Sequence, residues 1–126
     1  MIQSLLLVGT GGFIGSILRY LVQHFFVHNS TSHFPWGTFT AHITRSLIIG
    51  IVYAFADKHA VFSQEIRLLF AVGFCGGFTT FSSFAAENLN LLNNHDYVSF
   101  ALYTGLSIFT GLIMVWVGVN IVKFFV

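Results

Sequence analysis

The sequence predicts an all-α integral membrane protein with four transmembrane helices, the third of them broken at mid-membrane. Hydrophobic residues make up 56% of the 126 residues and charged residues only 7%, whereas soluble domains are about 25% charged. Four long apolar stretches alternate with short polar segments. This composition excludes a disordered chain, a nucleic-acid-binding protein with a basic face, and most soluble enzymes.

The four stretches are expected to form one membrane domain over residues 1–126. They are predicted at residues 2–27, 36–56, 66–92 and 97–122. Polar segments separate them at residues 28–33, 57–59 and 93–96. Pro35 precedes the second stretch, and proline suits a helix start because its missing N–H is no loss there. Each stretch should be a helix, since an isolated strand cannot satisfy its backbone in lipid.

The distribution of positive charge specifies the orientation only weakly. Lys58, Lys123 and, at a helix edge, Arg67 share the side of the termini, whereas the loops on the other side contain no Lys or Arg. This bias favours termini inside the cell. Arg19 lies near the opposite end of the first span, however, and the asymmetry is small. Insertion in both orientations is therefore compatible with the sequence.

Apart from Arg67 at the edge of the third span, three charged residues fall inside the predicted spans, where charges are costly and usually functional. Arg19 lies near the end of its span, where its side chain can also snorkel to the interface. Arg45 lies near mid-membrane and must face water, an anion, a carboxylate or a partner subunit. Glu87 lies late in the third span, and an Arg45–Glu87 pair is one option.

His42 precedes Arg45 by three residues, so the two share a helix face. No second His or Cys accompanies His42 at ligand spacing, which disfavours a metal site. A hydrogen-bonded interior histidine is expected instead. The single cysteine, Cys75, is expected to be a packing residue.

The segment from Gly73 to Phe84 predicts a helix break. Adjacent glycines at 76 and 77 and adjacent threonines at 79 and 80 weaken a helix or compete for its backbone groups. Non-helical backbone at membrane depth persists only inside protein or along a cavity. Its freed carbonyls suit a hard cation such as Na⁺, and its freed N–H groups suit an anion. A close-packed seam of small residues is the alternative.

Phe81 and Phe84 lie three residues apart, on one face of the resumed helix. Aromatic rings have a positive edge, so ring edges can line a path for a small anion. Core packing is the alternative for both rings, because phenylalanine is abundant here, with 16 in the chain.

The segment Gly76-Gly77-Phe78-Thr79-Thr80-Phe81-Ser82-Ser83-Phe84, followed by Glu87, resembles the motif of the CrcB/Fluc family of fluoride channels. Three further segments are similar to motifs of the same family: Gly11-Gly12-Phe13-Ile14-Gly15 with Arg19-Tyr20, Pro35-Trp36-Gly37-Thr38, and Ser46-Leu47-Ile48-Ile49-Gly50. The order of these motifs matches along nearly the whole chain. The third-helix motif is the specific one.

This resemblance implies an antiparallel, dual-topology dimer in the inner (plasma) membrane that exports fluoride passively and so reduces its toxicity. It implies a structural Na⁺ at the dimer interface, held by backbone carbonyls of Gly76 and Thr79 from both subunits. Lipid, fluoride and a second subunit are the implied partners, and nucleic acid is not. The implied pore residues are Phe81, Phe84, Ser82, Ser83, His42 and Tyr103. A polar track is implied at Thr38, Glu87 and Ser107, with Thr110 as the alternative to Ser107. Arg19 is implied in the vestibule.

The residues agree with this channel interpretation in chemical terms. Fluoride holds water tightly, and the hydroxyls of Ser82 and Ser83 can replace that water as donors. Carbonyls are adequate ligands for a hard cation. No acid–base pair, nucleotide-binding loop or metal-ligand cluster supports an enzyme.

Two positions depart from the family pattern. The family has asparagine where this chain has His42, and glycine or alanine where this chain has Arg45. His42 can still donate a hydrogen bond, and its protonated form attracts anions. Arg45 can bind the anion too tightly for fast transit or prevent close helix approach. Both an active homodimer and a partly degenerate subunit of a heterodimer are therefore compatible with the sequence.

Two other classes remain as alternatives. A small multidrug-type transporter also has four helices, but it usually carries a carboxylate in its first helix, where this chain has only Arg19. A non-transporting assembly protein held together by glycine seams is the second alternative. Ion flux separates it from a channel.

Overall fold

The fold consists of helices joined by short connections. The computed structural model describes residues 1–29, 34–59, 61 and 63–125, and it contains no strand within these ranges. Its helices are α1 (Ile2–Asn29), α2 (Trp36–Lys58), α3 (63–78), α4 (Phe81–Asn93) and α5 (Tyr97–Phe125).

Four stretches of this fold are long and apolar enough to cross a membrane. They are Ile2–Phe26, Trp36–Lys58, Gln64–Asn93 and Tyr97–Phe125, so the predicted all-helical chain with four spans is confirmed. Several helices extend beyond the predicted apolar runs, because polar residues at the ends of a run can still complete the last helical turn. Residues 30–33 of the first predicted polar segment lie outside the described residues.

Helix α2 begins directly after Pro35, as the position of this proline in the sequence predicted. Pro35 is the residue just before its first turn, and the Pro35 carbonyl accepts a hydrogen bond from Phe39 N–H at 3.0 Å. At the other end, the Arg67 side chain of α3 pairs with Asp57 of α2 at 2.5 Å. This exposed pair joins the end of α2 to the start of α3.

Helix α3 is irregular. It is α-helical over Ser63–Ile66, π-helical over Arg67–Cys75 and α-helical again over Gly76–Phe78. A π-helix is rare and often lies beside a functional site. Nothing in the residue pattern predicted it.

An extended dipeptide separates α3 from α4. Thr79 (φ −153°, ψ 152°) and Thr80 (φ −135°, ψ 156°) are both in the β region. The Thr80 hydroxyl then accepts a hydrogen bond from Ser83 N–H at 3.2 Å. This is the N-cap arrangement that threonine favours, and it explains why α4 restarts at this point.

Glycines bring α1 and α3 into backbone contact. A side chain at Gly11 would collide with the Leu69 carbonyl, and one at Gly73 would come within 2.7 Å of the Val8 carbonyl. Such small-residue seams are the usual way in which membrane helices approach closely. We call these contacts the α1–α3 seam.

Helices α2 and α5 form a second close pair. Ser46 lies beside Gly111 and Gly50 beside Val115, so the two helices run parallel with a constant offset along the chain. A small core of Phe39, Leu91 and Tyr103 joins α2, α4 and α5 near one end of the pair. Helix α4 therefore packs through side chains, whereas α3 packs through its backbone.

Candidate functional site

Thr38 and Glu87 form the polar contact between α2 and α4. The Thr38 hydroxyl donates to Glu87 Oε1 at 2.7 Å, and Thr38 is only 2% exposed. Gln23 of α1 donates to the same hydroxyl at 3.4 Å. A half-buried carboxylate within a candidate span therefore accepts a hydrogen bond from a neighbouring helix.

An open cleft of about 340 Å³ lies beside this contact, lined by Gln23, Ser83, Ala86, Glu87 and Asn90. Ser83, Glu87 and Asn90 follow the spacing of one helix face. Sequence motifs pointed to Ser83 and Glu87 but not to Gln23 and Asn90. The helical spacing of Asn90 from Glu87 was the available signal, whereas nothing in the sequence linked Gln23 to them.

The predicted pore aromatics form a continuous group. The rings of Phe81 and Phe84 lie 5.9 Å apart, and the rings of Phe84 and Tyr103 lie 5.0 Å apart. Phe81 is 76% exposed, whereas Tyr103 is fully buried. The group therefore extends from the molecular surface at the start of α4 to the interior beside α5.

His42 joins this group edge-on. Its ring lies 5.4 Å from the Phe84 ring at an interplanar angle of 85°. The expected hydrogen bond is not formed at Nε2, which is covered and has no partner among the described residues. His42 is thus held by aromatic packing, and a polar atom is left unsatisfied.

Ser82 and Ser83 both turn toward the cap of α4. Each hydroxyl lies 3.1 Å from the Thr80 hydroxyl, and the direction of donation is open in both pairs. Three hydroxyl groups therefore gather where the chain leaves its extended segment. Ser82 is exposed and Ser83 is half-buried.

The backbone beside these hydroxyls has free acceptors. Among the described residues, no backbone N–H donates to the carbonyls of Gly76 or Thr79. A side chain built at Gly76 would meet nothing within 4 Å. The Thr79 hydroxyl is covered and lacks a partner in the described part of the chain. These carbonyls fit the oxygen ligands that hard cations prefer.

Thr38, His42 and Arg45 lie on one face of α2, opposite successive parts of the third span. Thr38 meets Glu87, His42 meets Phe84, and Arg45 lies close enough to Cys75 for electrostatic interaction. Arg45 and Glu87 do not pair, because no ion pair in the described ranges includes either residue. The buried Cys75 occupies the packing position that was expected.

The remaining predicted residues are more dispersed. Ser107 has a covered hydroxyl with no partner in the described ranges, and the offset between α2 and α5 places it at the height of His42. The Thr110 hydroxyl donates to the Leu106 carbonyl of its own helix. Arg19 is half-buried on α1 and forms no ion pair with any described residue.

Comparison with known proteins identifies the chain's relatives. Residues 6–119 match the family model described as CrcB-like protein, Camphor Resistance (CrcB). A protein of Leptospira interrogans serogroup Icterohaemorrhagiae is 44% identical over 98% of this chain and 97% of its own length. A protein of Gloeothece citriformis is 46% identical over 95% and 97%, and one of Phocaeicola vulgatus is 41% identical over 93% and 96%. All three are named fluoride-specific ion channel FluC.

Proposed function

Because the chain belongs to the CrcB family, whose curated relatives are named fluoride-specific ion channels rather than enzymes, we propose that it is a fluoride channel subunit. It is a multi-pass protein of the bacterial plasma membrane, with four apolar helices. Fluoride leaves the cytoplasm through it passively, which reduces fluoride toxicity. The described parts of the chain form one membrane domain.

The observation that carries the proposal is the line of donors and ring edges beside α4. Fluoride must exchange its water for other donors when it enters a narrow path. The cleft at Gln23 and Glu87 is one end of the line, and Phe84 and Tyr103 follow it inward. Ring edges add weak positive potential without strong binding, which suits an ion that must also leave.

The interruption at Thr79 and Thr80 supports a Na⁺ site at membrane depth. It lies inside the candidate span Gln64–Asn93, and the Gly76 and Thr79 carbonyls are free of backbone donors among the described residues. These two carbonyls from each of two subunits would hold the ion. When bound, Na⁺ would supply a fixed positive charge that joins the subunits.

An antiparallel pair of subunits is the assembly that this surface supports best. Phe81 is 76% exposed at the start of α4, and Gly76 presents an open surface next to it. A second copy packed there would cover both residues and bring the free carbonyls of two chains together. The weak charge bias permits the opposite insertion that such a pair needs. A paralogous subunit can take the place of the second copy.

Fluoride efflux from liposomes that contain only this purified chain tests the proposal. We expect fluoride efflux, no chloride efflux, and loss of fluoride efflux on Phe81→Ile. No fluoride efflux from a well-folded dimer would remove the homodimeric channel. Co-reconstitution with a paralogous subunit then decides whether a heterodimer conducts, and failure there would remove the channel proposal altogether.

A further inference from the structure

Arg45 is a cation within a candidate span, and no described carboxylate forms an ion pair with it. Its Nε atom is covered and has no hydrogen-bond partner among the described residues. The chain has four carboxylates. Asp57, Glu65 and Asp96 lie at or near helix ends, and Glu87 accepts a hydrogen bond from α2. A second copy would bring the same four groups, and three of them, Asp57, Glu65 and Asp96, would again lie at or near helix ends.

The polar groups that interact electrostatically with Arg45 are the His42 ring and the Cys75 thiol, which are potential donors and not fixed negative charges. His42 Nε2 and the Ser107 hydroxyl are covered and unpartnered in the described part of the chain. Phe84 touches both the His42 and Tyr103 rings, and Ser107 lies at the height of His42. Hydroxyls can always turn a proton toward an acceptor. A cation beside several unused donors is the chemistry of an anion site.

We infer that Arg45, with His42 beside it, forms an anion-retention site on the fluoride path. This inference rests on the proposed function and deepens it. Conduction requires binding that is weak enough for the ion to leave, and a fixed guanidinium in a poorly hydrated place binds an anion more strongly than hydroxyls or ring edges do. The site therefore lowers the fluoride concentration at which flux saturates and lowers the maximal flux.

The first measurement is the thermal stability of the purified dimer against fluoride concentration, with chloride as the control anion. Wild type is compared with Arg45→Met, Arg45→Lys and the matched control Thr44→Val. In the wild type, the Thr44 hydroxyl donates a hydrogen bond to the Thr40 carbonyl of its own helix. We expect fluoride to raise the melting temperature of wild type. The half-maximal concentration should rise by about tenfold or more in Arg45→Met and change little in Arg45→Lys or Thr44→Val.

The same fluoride dependence in wild type and Arg45→Met would overturn the inference. Lower stability of Arg45→Met without fluoride, with no change in fluoride dependence, would also overturn it and would show that Arg45 serves assembly. If Arg45→Met does not fold, Arg45→Gly takes its place in the same comparison.

Fluoride flux through the same variants separates this inference from the proposed function. We expect Arg45→Met to saturate at higher fluoride concentration and to reach a higher maximal rate. Flux that is identical in wild type and Arg45→Met would remove the retention site but keep the channel. Fluoride can also stabilise the dimer through Arg45 while no variant conducts, alone or with a paralogous subunit. That result would support the retention site and remove the channel proposal.

Discussion

The two halves of the third span, α3 and α4, differ in how they pack. Helix α3 lies against α1 through glycines, and its backbone is in direct contact with its neighbour. Helix α4 contacts α2 and α5 through Glu87, Asn88 and Phe84. Close backbone contact leaves no room for an ion or water. Helix α3 is therefore anchored through its backbone, whereas the polar side-chain contacts of the third span lie on α4, beside the proposed path.

The largest expected effect comes from filling the α1–α3 seam. Gly11→Val places a branched side chain against the Leu69 carbonyl, and backbone cannot move aside as a flexible side chain does. Overpacking of this kind costs about 1–3 kcal/mol, so we expect poor recovery of the folded dimer. Size-exclusion chromatography and thermal unfolding measure it. Gly9→Val is the matched control, because nothing lies within 4 Å of a side chain built there; equal losses in both variants would contradict the seam.

A second substitution acts on α4 alone. Thr38→Val keeps the side-chain shape but removes the donor to Glu87. Loss of a hydrogen bond to a charged group costs about 1.5–3 kcal/mol and Glu87 borders the cleft, so fluoride efflux should fall by about tenfold while the dimer still forms. Fluoride efflux from liposomes is measured for Thr38→Val and for Thr44→Val, a control on the same helix. Unchanged efflux in Thr38→Val would show that the Thr38–Glu87 contact lies off the path.

The junction between the two halves should respond more modestly. Thr80→Ala removes the N-cap of α4, and loss of such a cap costs about 1 kcal/mol. Thermal unfolding should show a small decrease in melting temperature, and Thr80→Ser should restore it because serine keeps the hydroxyl. If Thr80→Ser is as unstable as Thr80→Ala, the hydroxyl is not what starts α4.

The smallest expected effect lies at the polar edge of α3. Asp57→Asn removes the partner of Arg67, but the two side chains are 71% and 40% exposed, respectively. Exposed ion pairs contribute about 0–1 kcal/mol. We therefore expect nearly unchanged thermal stability and unchanged efflux, equal to those of Lys58→Gln on the same helix end. A large loss in Asp57→Asn alone would show that this edge helps to hold α3 in place.

Composition was enough to predict four helical spans, because the length of apolar runs and the need to satisfy the backbone in lipid leave few choices. Glycine and threonine pairs also directed attention to the right segment. The detail differed: Gly76 remains helical, and the extended residues are Thr79 and Thr80. Gly77 is instead used for close approach to Gly12 of α1, a tertiary contact that local propensity does not contain.

The candidate site was predicted in part for a similar reason. Motif resemblance selected Thr38, Glu87 and the aromatic residues, which the fold brings together. It did not select Gln23, because its role depends on where α1 crosses α2. A hydrogen-bonded His42 was expected, and Nε2 has no partner among the described residues, since sequence does not reveal which partners lie within reach. The sequence left open a pair between Arg45 and Glu87. The two do not pair in the described ranges, and Glu87 accepts a hydrogen bond from Thr38 of α2 instead.

The pairing of helices also sets an order of assembly. Helix α1 packs on α3, and α2 packs on α5, so the partners alternate along the chain. Each pair must wait for an intervening helix to be inserted, and α2 must wait for the last one. A nascent chain stopped after Asn94 can form its first pair, but the face of α2 that carries Ser46 and Gly50 has no α5 beside it. The final helix therefore closes the fold, and premature termination leaves the small-residue face of α2 uncovered.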